Sequence, residues 1–169
     1  MRKRRRLILI AVAFLLLAAI VAVIAWAWPD SHTDEISVEQ ATHLLNRAVE
    51  YAQSHDLDGL CKLGSSTGVC EMQWKDAGEW VGVPAEPPEI VDTYLVPGRK
   101  FKNGMNQLGG RALVLSGIDG RGKPYRTEML VFGGGWPSGL KAVNVIYWCG
   151  ASLPRFNDDG SVSTGGNGG

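Results

Sequence analysis

The sequence predicts an α+β domain carried behind an N-terminal transmembrane helix, with helices packed on a curved antiparallel sheet. Three observations carry this reading. Residues 7–28 form an unbroken apolar run, residues 38–54 repeat apolar side chains at helical spacing, and from Ile90 onward the period changes to the alternation of strands. Helices first and strands afterwards, within one domain length, is the α+β order.

The apolar run sets the address. From Leu7 to Trp28 there is no charged or strongly polar side chain, and at ~1.5 Å rise per residue such a helix covers the ~30 Å hydrocarbon core. A helix buried in a soluble core is rarely apolar on every face for so long. Arg2, Lys3, Arg4, Arg5 and Arg6 precede the run, while Asp30, Asp34 and Glu35 follow it. That asymmetry predicts a single-pass plasma-membrane protein with its N-terminus in the cytoplasm and its C-terminal domain outside. The lipid bilayer is then its first partner. A cleaved signal peptide is the rival, because Ala25-Trp26-Ala27 offers an A-x-A-like site. The run is longer than the ~7–15 residues of an ordinary signal core, and tryptophans on both sides of Ala27 suit cleavage poorly. Both readings export everything beyond it. The predicted organisation is therefore a basic segment 1–6, a transmembrane helix 7–28, a linker 29–36, a domain 37–153 and a disordered tail 154–169.

Charge excludes some partners. The whole chain is formally neutral, but removing the five N-terminal basic residues from 17 leaves 12 Lys plus Arg against 17 Asp plus Glu, a balance of −5 for the exported part. A domain of that sign is not built for nucleic acid or for anionic lipid surfaces. Three cysteines, Cys61, Cys70 and Cys149, lie in the exported part, where disulfides persist. Cys61 and Cys70 flank the flexible Gly64-Ser65-Ser66-Thr67-Gly68 and are the expected pair, closing a ring that contributes about 2–3 kcal/mol by the loop-entropy argument. Pairing of Cys149 with either stays open at this level. No C-x-x-C is present and His32, His43 and His55 share no ligand spacing, so no metal is expected; no cofactor is expected either.

The elements follow in order. Ser37 with Gln40 makes a capping box, and Ala41, Leu44, Leu45, Ala48, Val49 and Ala52 form one face of a helix reaching Ser54. Asp56 caps a short helix carrying Leu57, Leu60, Cys61 and Leu63, stopped by Gly64; a third helix is predicted over Val69–Ala77, with Met72 and Trp74 as candidate buried residues. Pro84, Pro87 and Pro88 impose an extended loop. Strands are predicted over Ile90–Val96, Arg111–Ile118, Tyr125–Phe132 and Lys141–Cys149, with Asp119-Gly120-Arg121-Gly122 turning the middle two into a hairpin. Residues 99–110 read as a loop or irregular edge. The last strand is apolar on both faces, which predicts a central, doubly covered position.

The stretch Ala48-Val49-Glu50-Tyr51-Ala52-Gln53-Ser54-His55-Asp56-Leu57-Asp58-Gly59-Leu60 resembles a helix end, acidic turn and short second helix of the nuclear-transport-factor-2-like (SnoaL-like) superfamily. The resemblance covers residues 38–150 and implies a cone: a curved sheet wrapped on the long helix, with a pocket on its concave face. The proline-containing loop, the cysteines and the anchor depart from the soluble enzymes of that superfamily. The anchored arrangement resembles instead the single-pass assembly subunits of type IV secretion systems.

Polar groups on predicted strands are Asp92, Tyr94, Tyr125, Glu128, Asn144 and Tyr147. With the exposed-loop Trp136, the binding candidates are Tyr125, Asn144, Tyr147 and Trp136; Asp92 and Tyr94 are read as solvent-facing on an edge strand. No Asp–Tyr pair has isomerase spacing, no G-x-S-x-G elbow occurs, and Gly133-Gly134-Gly135 lacks a following G-K-[ST]. The sequence thus predicts a binding domain for a partner or small apolar ligand more than an enzyme. An assembly subunit with an envelope protein partner, and a small isomerase or hydrolase, are the alternatives.

Overall fold

In the computed structural model the described residues are 35–102, 104, 106–134, 139–157 and 159–163. The predicted spanning segment and Trp136 lie outside them. Among the described residues no helix is long and apolar enough to cross a membrane.

Helix α1, Val38–Gln53, begins where the capping box places it. The Ser37 hydroxyl accepts from the Gln40 N–H at 3.1 Å, and the Gln40 side chain accepts from the Ser37 N–H at 2.8 Å, so two orphan donors of the first turn are satisfied. All six apolar positions expected on its inner face are buried. His55, in the left-handed conformation, ends the run, and the Asp56 carboxylate then caps α2, Leu57–Leu63, by accepting from the Gly59 N–H at 2.8 Å. Helix α3 spans Thr67–Asp76 and starts earlier than the sequence suggested, because Ser66 caps it. Met72 is 57 % exposed, contrary to expectation. The helix owes its place to Cys70, bonded to Cys61 of α2 with both sulfurs buried, and to Trp74, which meets Trp80 edge-on at 5.4 Å. A 3-10 turn, Glu79–Gly82, follows.

The sheet is a four-stranded antiparallel meander: β1 (Glu89–Val96), β4 (Gly110–Ile118), β5 (Pro124–Gly133) and β6 (Leu140–Val143), in that spatial order. A small ribbon, β2 (Arg99–Lys100) with β3 (Asn106–Gln107), interrupts it. The β4–β5 hairpin forms about the predicted turn, with Leu113 opposite Met129 and Ala112 opposite Leu130. Alternation along the strands divides the sheet's side chains between two faces. Leu113, Leu115, Met129 and Val131 point into the helix-side core, while Ala112, Leu130 and Phe132 form a second, smaller cluster on the opposite face with Leu153, Tyr94, Val96 and Val143. Both β4 and β5 are therefore covered twice, and they, not the last strand, are the central pair.

The last strand is a correction. It ends at Val143 and lies at the sheet's edge, because Asn144 takes a φ of +57°, a conformation asparagine tolerates far better than branched residues. The turn turns Val145, Ile146, Tyr147 and Trp148 into the core, so their two-sided burial comes from being wrapped by other elements and not from a ladder. Beyond β6 the edge is stitched to α2's exit: the Ser65 N–H donates to the Ala142 carbonyl at 2.9 Å and Lys141 Nζ to the Lys62 carbonyl at 2.6 Å. The tail, expected to lack order from residue 154, instead holds a ribbon, β7 (Arg155–Phe156) with β8 (Val162–Ser163).

Candidate ligand-binding cleft

Of the binding candidates singled out in the sequence, Tyr125, Asn144 and Tyr147 gather on the helix side of the sheet. Tyr125 stands opposite Gly117, where a Cβ would sit 2.7 Å from its hydroxyl; the missing side chain lets the ring lie across the neighbouring strand. Burial, with Asp119's charge adding to it, pushes the Tyr125 hydroxyl up to about 12. Tyr147 is fully buried, edge-on to Trp148 at 4.9 Å, and burial followed by the proximity of Tyr125 raises its hydroxyl further still. Asn144 Nδ2 donates to the Glu128 carbonyl at 2.9 Å, and its Oδ1 accepts from Gln73 Nε2 at 2.8 Å. These contacts tie the chain's departure from β6 to β5 and α3. The face that a cone would offer to a ligand is occupied by the protein's own Leu113, Leu115, Met129 and Tyr147, each at 0 % exposure.

The cavity is on the other face. A cleft of about 330 Å³ is floored by Leu130 of β5, Val143 of β6 and Val96 of β1. One wall is the segment Leu153-Pro154-Arg155-Phe156; the other is Arg99 with residues 106–108 of the small ribbon. Phe101 and Phe156 stack at 5.6 Å between centroids and hold the two walls together. Tyr125, Asn144 and Tyr147 do not line this cleft.

Glu128 fixes the wall to the sheet. One carboxylate oxygen accepts from the Leu153 N–H at 2.8 Å; the other accepts from Tyr94 Oη at 3.1 Å and from Arg155 Nη2 at 2.6 Å. Its backbone N–H donates to the Ala151 carbonyl at 2.9 Å, and one residue away Thr127 Oγ1 accepts from the Gly150 N–H. The Arg155 guanidinium lies 5.3 Å from the centre of the Tyr94 ring. Burial and the adjoining Glu128 carboxylate raise the Tyr94 hydroxyl, against the smaller opposing pull of Arg155, so Tyr94 is a neutral donor at physiological pH.

Tyr94 and Glu128 were legible as polar strand residues, though Tyr94 is half-buried and bonded across the sheet and not turned to solvent. Arg99 and Arg155 were missed. The signal available for the second was local: Leu153 and Phe156 bracket Pro154-Arg155, two apolar side chains in a segment otherwise read as a tail. Among the described residues no group of three His, Cys, Asp or Glu side chains stands close enough to hold a metal ion. Comparison with known proteins finds no family model, no curated relative and no solved structure that matches the chain.

Proposed function

We propose that the chain is a single-pass, N-in membrane protein whose exported α+β domain binds a small apolar ligand in the cleft over the sheet's open face. The observation that carries this reading is the lining: Val96, Leu130, Val143 and Leu153 form a continuous apolar surface, bordered by a few polar groups held in place by Glu128. At 330 Å³ the space falls at the lower end of the ~300–1,000 Å³ of small-molecule sites, and the mix of apolar floor and sparse polar rim is theirs as well. Three helices followed by a meander also support a cone-like fold, with the ligand site moved from the cone's interior to its other face. The apolar run of residues 7–28 with its basic flank supports the anchor.

The test is direct. The full chain in zwitterionic nanodiscs, with labelled methyl groups, is titrated with a neutral naphthylamine probe. Saturable shifts at Leu130, Val143 and Leu153 are expected; shifts confined to the helix-side core, or none, would sink the proposal.

A second reading has its own observation. Strand β1 is a sheet edge with Val91 40 % and Leu95 42 % exposed, a surface on which an envelope protein partner could add a strand. Mild detergent extraction followed by crosslinking from residues 91 and 95 separates the two: a specific crosslinked partner supports assembly, and a lone protomer with a filled cleft supports ligand binding.

A further inference from the structure

We infer that the ligand taken by the cleft carries a neutral carbonyl, held by the Arg155 guanidinium while its apolar body lies on the Val96-Leu130-Val143 floor. The inference rests on the proposed binding function and names the ligand's polar group. The floor is made of aliphatic side chains, on which a polar atom would lose its water and gain no partner. A polar group must therefore lie at the wall, where Arg155 lines the cleft with its side chain 59 % exposed. A guanidinium has five N–H donors and no acceptor, so the group it takes is an acceptor oxygen.

The donor is positioned in advance. Arg155 Nη2 donates to Glu128 at 2.6 Å, and the guanidinium lies 5.3 Å from the centre of the Tyr94 ring. Glu128 does not line the cleft; its side chain is 14 % exposed and is itself fixed by the Tyr94 hydroxyl at 3.1 Å and the Leu153 N–H at 2.8 Å. A long side chain restrained in this way loses less freedom when a ligand meets it, and its hydrogen bond to a carbonyl is charge-assisted.

The same contact sets the charge of the head. Glu128 already balances Arg155, so a carboxylate bound to Arg155 would bring a second negative charge close to the first, and like charges so placed repel. A carbonyl oxygen takes the hydrogen bond without that repulsion. On the facing wall Asn106 and Gln107 present amides, which are neutral and can donate to the same oxygen, and Arg99 there is already engaged by a partner.

The test uses the full chain in zwitterionic nanodiscs and follows the Leu130 and Leu153 methyl shifts while ethylnaphthalene, acetylnaphthalene and naphthoate are titrated in parallel. Each affinity is corrected for the probe's partition into empty nanodiscs. The first two probes have nearly the same shape and differ in one carbonyl oxygen. Acetylnaphthalene is expected to bind about tenfold more tightly than ethylnaphthalene, a difference of about 1.4 kcal/mol, and naphthoate no more tightly than the ketone. Arg155→Met is expected to erase the ketone's advantage while leaving ethylnaphthalene binding unchanged, and Arg155→Lys, which keeps a donor but loses the fork, to retain part of it. Equal binding of ketone and hydrocarbon overturns the inference and leaves the apolar site standing. Tighter binding of naphthoate than of the ketone overturns the neutral head, and a ketone advantage that survives Arg155→Met overturns the assignment to Arg155. Failure of all three probes to bind overturns the binding function itself.

Discussion

The Leu153 backbone N–H donates to the Glu128 carboxylate at 2.8 Å, and this bond joins the C-terminal segment to the middle of the sheet. Leu153 is 7 % exposed and its side chain belongs to the cluster on the open face. A carboxylate on a central strand thus serves as the attachment point for the wall of a cleft. Two further hydrogen bonds tie the segment from Gly150 onward to β5, from the Gly150 N–H to Thr127 Oγ1 and from the Glu128 N–H to the Ala151 carbonyl.

Replacing Glu128 with alanine should loosen the wall more than the domain. A buried N–H left without its acceptor costs about 1–3 kcal/mol, whereas the exposed Arg155 partner contributes little. Global stability in a urea titration is expected to fall by about 2 kcal/mol, and the Leu153 amide should exchange with solvent far faster than amides of β4. If Leu153 and β4 amides accelerate together, the segment is not a separate local unit.

Asp119 controls the hairpin turn. Burial alone would raise its carboxyl, but the Lys123 and Arg121 N–H groups and the Arg121 guanidinium hold it below the usual carboxylate value. The unfolded group titrates near ~3.9, so its stabilisation is complete above that pH and is lost as pH falls through the lower folded value. Asp119→Asn should lower stability at neutral pH by about 1–2 kcal/mol and flatten the acid limb of the stability curve below about pH 4. An acid limb identical in variant and parent would show that other carboxylates set it.

The ring closed by Cys61 and Cys70 should be worth about 2–3 kcal/mol. Cys61→Ser, measured against the oxidised parent under non-reducing conditions, is expected to lose that amount. Cys149 is the one remaining thiol, and burial raises its pKa. The parent should therefore take up a single alkyl group slowly at pH 7.5 and rapidly in denaturant, as read by intact mass. Immediate labelling of the native chain would contradict the burial.

Some of this was legible because the decisive physics is local. The capping box at Ser37 and Gln40, the inner face of α1, the Asp56 cap and the Asp119-Gly120 turn are each written within a few residues, and the structure realises them. The disulfide between Cys61 and Cys70 is local too. The bend at Asn144 is not: what holds it is Gln73, 71 positions away, and the Glu128 carbonyl. A run such as Val145-Ile146-Tyr147-Trp148 has the same composition whether buried by a ladder or by surrounding helices, so period alone misassigns it. The cleft was illegible for a related reason, since its walls come from the β2–β3 ribbon and residues 153–156, which are far apart in sequence and meet through the sheet between them and the Phe101–Phe156 contact.

The alkaline limb reports the helix-side core. Burial, first, and neighbouring negative charge, second, push Tyr125 up to about 12 and Tyr147 above the usual phenol range. An unfolded tyrosine ionises near ~10, so the folded state holds these protons more tightly than the unfolded one. The sign follows: their contribution is present in full below pH ~10 and is lost as pH rises through the folded values. Ultraviolet titration of the full chain should show Tyr125 ionising near 12, with Tyr147 ionising only as the domain unfolds. Tyr147→Phe removes a hydroxyl that has no hydrogen-bond partner among the described residues. It is therefore expected to leave stability at pH 7 unchanged or slightly higher, by up to about 1 kcal/mol, and to move alkaline unfolding to higher pH. A loss of more than about 1 kcal/mol at pH 7 would mean that the hydroxyl is bonded in solution and that this core is wetter than its packing indicates.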